Sequence, residues 1–322
     1  MTRRLILDTD TAQDDCVALL VALLDSRASL EAITMVAGNV GFDRQVHNAF
    51  LTLAATGHLG EVPVHLGCER PLVREWVSAE NVHGDGVGGM SIDLGDCGPE
   101  AEHGVDALIR IVNDNPGEID IVAIGPLTNV AMAAVKDADF AKNVRSLVIM
   151  GGSNNGRGNI TAAAEFNFYV DPEAAATVFA AGFDITVVPW APLTLNDAVF
   201  GADRLEQIAT IDTPLARFFM KVCAATLEFD EAVGIPGTTH PDSLSVAVLL
   251  DPELVIAAAD YNVQIETGSE LTRGYSAMSW GVHDLEPNAR VIEAVDGQAF
   301  FDLICSILST EVSPQRAIAG LQ

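Results

Sequence analysis

Leu5-Ile6-Leu7-Asp8-Thr9-Asp10-Thr11-Ala12-Gln13-Asp14-Asp15-Cys16-Val17-Ala18-Leu19 is the stretch that decides the fold. Three apolar residues read as a buried strand and run straight into four carboxylates within eight positions. The apolar-periodic segment Val17 to Leu24 follows at once and reads as a helix. The acids therefore occupy a strand-to-helix junction, which in an open parallel sheet lies at the carboxyl edge where ligands bind. Any one of these aspartates is explained by capping a loop or by favouring the positive end of the helix. Four together repel one another, and a hard divalent cation is the simplest compensation. Oxygen ligands, with no histidine or cysteine close by except Cys16, suit Ca²⁺ or Mg²⁺ rather than zinc.

Working outward, 322 residues allow one large or two ordinary domains, and the absence of a repeat, linker or low-complexity block favours a single domain over 1–322. The formal net charge of -28 argues against nucleic acid and anionic membrane surfaces as partners. Lysine is confined to Lys136, Lys142 and Lys221; an acidic surface of this kind is compatible with a saline habitat or with a compositional bias. The apolar run after Met1-Thr2-Arg3-Arg4 is too short for a signal peptide and no run reaches the length of a membrane span, so a cytoplasmic protein is expected. Five cysteines without CxxC spacing argue against a disulfide framework or a zinc site.

The rest of the chain alternates strands and helices. Leu30 to Ala37 reads as a strand ending in Gly38-Asn39-Val40-Gly41, where Asn39 is a candidate for sugar hydroxyls. A glycine-rich loop, Asn81 to Gly89, carries His83 but lacks the lysine and hydroxyl of a phosphate loop. Ile119 to Ile124 and Val144 to Met150 read as buried strands, the first opening into Gly125-Pro126-Leu127-Thr128-Asn129. The loop from Gly156 to Phe168 holds Asn159, Glu165 and Asn167, a mixed donor and acceptor set suited to several hydroxyls, with Phe166 interleaved. Ile185 to Val188 reads as the last strand of the main sheet, and Asp203 to Ile211 and Pro214 to Phe229 read as helices. Thr238 to Ala247 is a second chemically dense point, where Asp242 caps a helix or supplies another oxygen ligand, with His240 beside it as a proton donor. The expected fold is α/β: an open, mostly parallel, Rossmann-like sheet flanked by helices, with a small antiparallel C-terminal addition.

With these segments assembled, the sequence resembles the inosine-uridine-preferring nucleoside hydrolase family from Asp8 to about Asp296. The resemblance rests on Asp8-Thr9-Asp10 with Asp14-Asp15, Ala37-Gly38-Asn39, the His83-Gly84 loop, Gly125 to Asn129, and Glu165-Phe166-Asn167. It implies that Asp10, Asp15, the Thr128 carbonyl and Asp242 hold one Ca²⁺ completed by the sugar's 2′- and 3′-hydroxyls. It further implies that Asp14 and Asn39 contact those hydroxyls while Asn159, Glu165 and Asn167 hold the rest of the ribose. The implied activity is hydrolysis of the N-glycosidic bond of ribonucleosides by water activated at the ion, with Asp10 as general base, in the context of base salvage. A homodimer or homotetramer is implied as well.

The sequence departs from the family pattern at Thr11-Ala12, where Pro-Gly is commonest, in a His83 loop one residue shorter, and at Pro241, which separates His240 from Asp242. His240 and His83 are the candidates for protonating the leaving base, and Phe166, Trp76, Trp280 and Phe229 are those for stacking on it. Two competing functions share parts of the pattern. Leu5 to Asp10 also resembles the opening of the aspartate-nucleophile phosphatases, with Asp8 as nucleophile. A non-catalytic calcium or pentose-binding protein on the same scaffold would keep the ligands without the chemistry.

Overall fold

The computed structural model describes residues 2–279, 281 and 285–321. Strand β1 (Arg3–Thr9) and helix α1 (Gln13–Leu24) form the expected junction, followed by β2 (Ala28–Met35), α2 (Phe42–Thr56) and β3 (Val64–Leu66). Next come α3 (Glu80–His83), α4 (Gly104–Asp114), β4 (Ile119–Ala123), α5 (Thr128–Lys136), α6 (Phe140–Asn143), β5 (Ser146–Met150), α7 (Phe166–Val170), α8 (Pro172–Ala180) and β6 (Ile185–Val188). After a π-helical turn at Trp190–Thr194 the chain forms α9 (Leu195–Asp197), β7 (Val199–Phe200), α10 (Ala202–Ala209), α11 (Pro214–Val222), α12 (Ala224–Ala232), β8 (Thr238–Thr239) and α13 (Pro241–Leu250). Strands β9 (Val255–Ile265), β10 (Ser276–Ser279) and β11 (Ala289–Val295) and helix α14 (Gly297–Leu308) complete the described chain.

Nine strands make one sheet in the order β10-β9-β11-β6-β5-β4-β1-β2-β3. From β3 across to β11 every pairing is parallel, and the antiparallel strands β9 and β10 extend the same sheet beyond β11. Strand β6 is therefore not the edge expected of it, because the return from α14's side is provided by β11 pairing in parallel with Thr186 and Val187. A separate two-stranded pairing joins β7 to β8. The single helix read over Pro214 to Phe229 is two, broken at Cys223. Strand β10 ends at Ser279, and Trp280 lies outside the described residues.

Alternation along β1 divides the core. Leu5 and Leu7 face the layer that contains α1, α2, α13 and α14, while Ile6 faces α4, α5 and α8 on the other side. Helix α1 has no solvent face over most of its length: every residue from Gln13 to Ala22 is buried. A helix this apolar belongs between other elements rather than on a surface. Strand order reverses at β1, whose neighbours are β2 on one side and β4 on the other. That reversal opens a crevice beyond the carboxyl ends of β1 and β4, where Asp10 and Ile124 stand. No described helix is long and apolar enough to cross a membrane.

Leu19 is fully buried in the middle of α1. Leu19→Ala is expected to lower the stability of the folded chain by about 2–5 kcal/mol, read as a lower urea midpoint with an unchanged slope.

Candidate active site

The crevice is a cavity of about 490 Å³. Its polar lining includes Asp14, Asn39, His83, Asn159, Glu165, Asn167 and Asp242, so seven of the residues singled out in the sequence meet around one space. Phe166 and Phe229 also line it. Asp10 and Asp15 lie just beneath, joined to the lining through Asn39: its backbone N–H donates to Asp10 Oδ2 at 2.9 Å and its side-chain amide to Asp15 Oδ2 at 3.1 Å.

Asp10 is fully buried at the end of β1, and its Oδ1 has no hydrogen-bond partner. Its place is cut to size by two glycines. A Cβ on Gly38 would fall 1.9 Å from Asp10 Oδ2, and one on Gly125 would fall 2.8 Å from Oδ1. Asp15 accepts from the Thr9 hydroxyl at 2.6 Å and from the Ala12 backbone N–H at 3.1 Å, which ties it to the turn it caps. Asp14 is held from the far end of the chain. Its Oδ2 accepts the backbone N–H groups of Asp242 (2.6 Å) and Ser243 (3.2 Å), and its Oδ1 accepts the Ser243 hydroxyl and the His240 Nδ1–H, both at 2.9 Å. Asp14 thus supplies the cap for α13 that the sequence assigns to Asp242, and Asp242 keeps its own carboxylate for the cavity.

Burial pushes the acids upward. Asp10 and Asp242 are raised well above the usual carboxylate range, first by loss of water and then by neighbouring charge, Asp15 for Asp10 and chiefly Asp15, Asp14 and Asp10 for Asp242. Asp15 is pushed up to about 6 and Glu165 to about 7 by burial, the latter despite accepting from the backbone N–H groups of Asn167, Phe168 and Gly152. Among the described residues, no arginine or lysine pairs with Asp10, Asp15 or Asp242. Nor, among them, are three acidic, histidine or cysteine side chains already drawn into a finished ion cage. An orphaned carboxylate oxygen beside unneutralised acids, all offering oxygen, still fits a hard divalent cation.

The amide groups are half-engaged and half-free. Asn167 donates both side-chain N–H bonds to the Ile124 and Met150 carbonyls (3.0 and 3.1 Å), bridging the ends of β4 and β5 and leaving its carbonyl oxygen for a ligand. Asn159 accepts from the Phe166 N–H at 2.8 Å, which leaves its amino group. His83 Nδ1 is enclosed without a partner, and desolvation pushes the imidazole down to about 4 against the pull of Asp14, so the ring is neutral near pH 7.

Two expected site residues stand elsewhere. Thr128 is the first residue of α5 and does not line the cavity; its hydroxyl donates to Asp171 Oδ2 at 2.7 Å, and its carbonyl faces along the helix. Ile124, four residues earlier, does line the cavity, and its carbonyl accepts from the Asn167 amide. His240 is fully buried against Phe200 and Phe219, with Nδ1 on Asp14 and Nε2 2.7 Å from the Thr238 hydroxyl, so it cannot reach a leaving group. Pro241 lines the cavity in its place. Asp8, the nucleophile of the phosphatase alternative, is buried off the cavity and accepts from Thr34 (2.5 Å) and Asn129 (2.7 Å). Trp76 is also off the cavity, its indole donating to the Gly38 carbonyl at 2.9 Å. Gln13, Trp190, Thr226 and Asp230 line the cavity without having been singled out; the last two carry a helical spacing with Phe229 that is visible only once α12 is known to start at Ala224.

The family model described as inosine-uridine preferring nucleoside hydrolase matches residues 5–302. A pyrimidine-specific ribonucleoside hydrolase of Shewanella woodyi is 35% identical over 319 residues, covering 96% of this chain and 99% of that protein. Among solved structures, a plant nucleoside hydrolase superposes with a TM-score of 0.88 at 30% identity, covering 97% of this chain and 100% of that one. A purine-preferring ribonucleoside hydrolase from Gardnerella vaginalis gives a TM-score of 0.88 at 28% identity, over 95% and 98% of the two chains.

Gly38→Ala places a methyl group against Asp10, so it is expected to leave the circular dichroism spectrum folded while abolishing metal-dependent thermal stabilisation. Because Asp8, Asp15, Glu165 and Asp230 hold protons above their ordinary values, the folded chain binds more protons than the unfolded one from about pH 4 to about pH 7. Stability of the chelator-treated protein should therefore fall as pH rises through that window, with a lower Tm at about pH 8 than at about pH 5.

Proposed function

The chain belongs to the inosine-uridine preferring nucleoside hydrolase family, and we propose that it is a Ca²⁺-dependent ribonucleosidase acting through Asp10. The observation that carries this reading is the orphaned Oδ1 of Asp10, buried beneath a cavity that Asp242 enters from the other end of the chain. Asp10, Asp15 and Asp242 would hold the ion, with the Ile124 carbonyl rather than that of Thr128 as the backbone donor at the same edge. When bound, Ca²⁺ would grip the vicinal hydroxyls of the ribose and lower the pKa of the water that attacks.

The remaining work falls to the chain's own groups. Asn39, Asn159 and Asn167 orient the sugar through the amide atoms left free by their internal bonds, and Glu165 and Asp14 border the same pocket. Asp10 Oδ1 takes a proton as the water oxygen bonds to C1′, while the C1′–N bond breaks and its electron pair leaves with the base. The surrounding carboxylates stabilise the oxocarbenium-like sugar electrostatically. Residues of both ends of the chain serve one site, which is why 1–322 acts as a single domain in this account. His240 acts by positioning Asp14; of the two histidines, only His83 touches the cavity, where its neutral ring is placed to donate an N–H hydrogen bond, rather than a proton, to the departing base.

Incubation with inosine or uridine should release reducing sugar, with the rate lost on chelation and restored by Ca²⁺, while a phosphate ester yields no phosphate. Asp10→Asn should still bind ribose while turnover falls at least about a thousandfold, on the order of 4 kcal/mol in the barrier. Near-normal turnover in that variant removes Asp10 as the base.

A further inference from the structure

Helix α12 turns one face to the cavity: Thr226, Phe229, Asp230 and Val233, at helical spacing through its last turn and C-cap, all line it. Around them the wall is apolar, with Val82, Ile160, Trp190 and Ile235. Among them stand the polar Thr226 and Thr239 and the carboxylate of Asp230, which is 4% exposed. Among the described residues no lysine, arginine or histidine pairs with it, and its one side-chain donor is the Thr239 hydroxyl at a long 3.3 Å. It also sits in the final turn of α12, at the negative end of the helix dipole, where an acidic group is unfavourable.

We infer that Asp230 reads the nucleobase, accepting a hydrogen bond from the ring N–H of a lactam base; this rests on the site being a ribonucleoside pocket. Hypoxanthine and guanine present N1–H, and uracil presents N3–H, to a carboxylate. Adenine and cytosine carry a lone pair at the corresponding ring nitrogen, which a carboxylate repels. A buried carboxylate that lines the cavity penalises any base that turns a lone pair toward it instead of a donor. Burial pushes Asp230 up to about 6 despite the hydrogen bonds it accepts from the Thr239 hydroxyl and backbone N–H. The spacing between base and sugar is built into one segment: Thr239, bonded to Asp230, is three residues from Asp242, and both line the cavity with Pro241 between them. Asp230 and the ribose-side carboxylates are thereby held in fixed register.

The test uses the purified full chain with Ca²⁺. kcat/KM is measured for inosine against 1-methylinosine and adenosine, and for uridine against 3-methyluridine and cytidine. A riboside whose leaving group has no N–H, 4-nitrophenyl β-D-ribofuranoside, is the control. Wild type should prefer each lactam nucleoside over its N-methyl derivative by at least about tenfold. In Asp230→Ala that ratio should collapse to within about threefold, and in Asp230→Asn, where the amide matches the adenine edge, adenosine should gain on inosine. Equal use of parent and methylated nucleosides by wild type, which needs no variant to fold, overturns the inference, as does an unchanged ratio in Asp230→Ala. Release of nitrophenol and ribose without base discrimination sinks the role of Asp230 alone; no release from any riboside sinks the hydrolase account and this inference with it.

Discussion

Four donors from residues 240–243 close on the single carboxylate of Asp14, and the site exists because they do. The contact brings the N-terminus of α1 against the N-terminus of α13, so N–H groups orphaned at the start of α13 are satisfied by an acid in the first turn of α1. Both helices are buried through most of their length and pack on one another, which leaves the contact little freedom to open. His240 completes it from behind, packed against Phe200 and Phe219 at ring distances of 4.3 and 5.3 Å. Asp242, freed from capping its own helix, is aimed at the acids of the first strand across more than two hundred residues of sequence.

The arrangement costs stability, and the local structure shows where compensation comes from. Asp15 and Glu165 are surrounded by backbone and hydroxyl donors, and each remains raised because burial outweighs those bonds. Asp10 and Asp242 have fewer donors and are raised further. Carboxylates so placed accept either protons or a cation, and only the second leaves them charged to act on a sugar. Gly38 and Gly125 make room for Asp10 without side chains of their own, so the cradle is specified by what is missing as much as by what is present.

Much of this was legible beforehand. The junction from Leu5 to Leu19 and the parallel alternation through Ile185 follow from period, turn chemistry and residue type, while the convergence of Asn39, Asn159, Glu165 and Asn167 is what the family resemblance implies. What escaped had a physical cause in each case. Thr128 lies in the right motif, yet the helix begins at that residue and keeps it off the cavity, which Ile124, four residues earlier, lines. His240 stands beside a functional acid, but its partners are Asp14 and Thr238, long-range contacts that spacing cannot reveal. Asp230 escaped because the helix read from the sequence ran from Pro214 only to Phe229, whereas the chain breaks at Cys223 and starts a separate helix, α12, whose face lines the cavity. Local pattern fixes elements well; tertiary contacts decide which side of them does chemistry.

The central claim is that acids from both ends of the chain meet on one cation that holds a pentose. A crystal of the protein grown with Ca²⁺ and ribose tests it directly, with anomalous scattering locating the ion. The account predicts one calcium touched by Asp10, Asp15 and Asp242, with two adjacent sugar hydroxyls in its shell. A calcium bound elsewhere, or ribose seated with Asp242 turned away from Asp10, would contradict it.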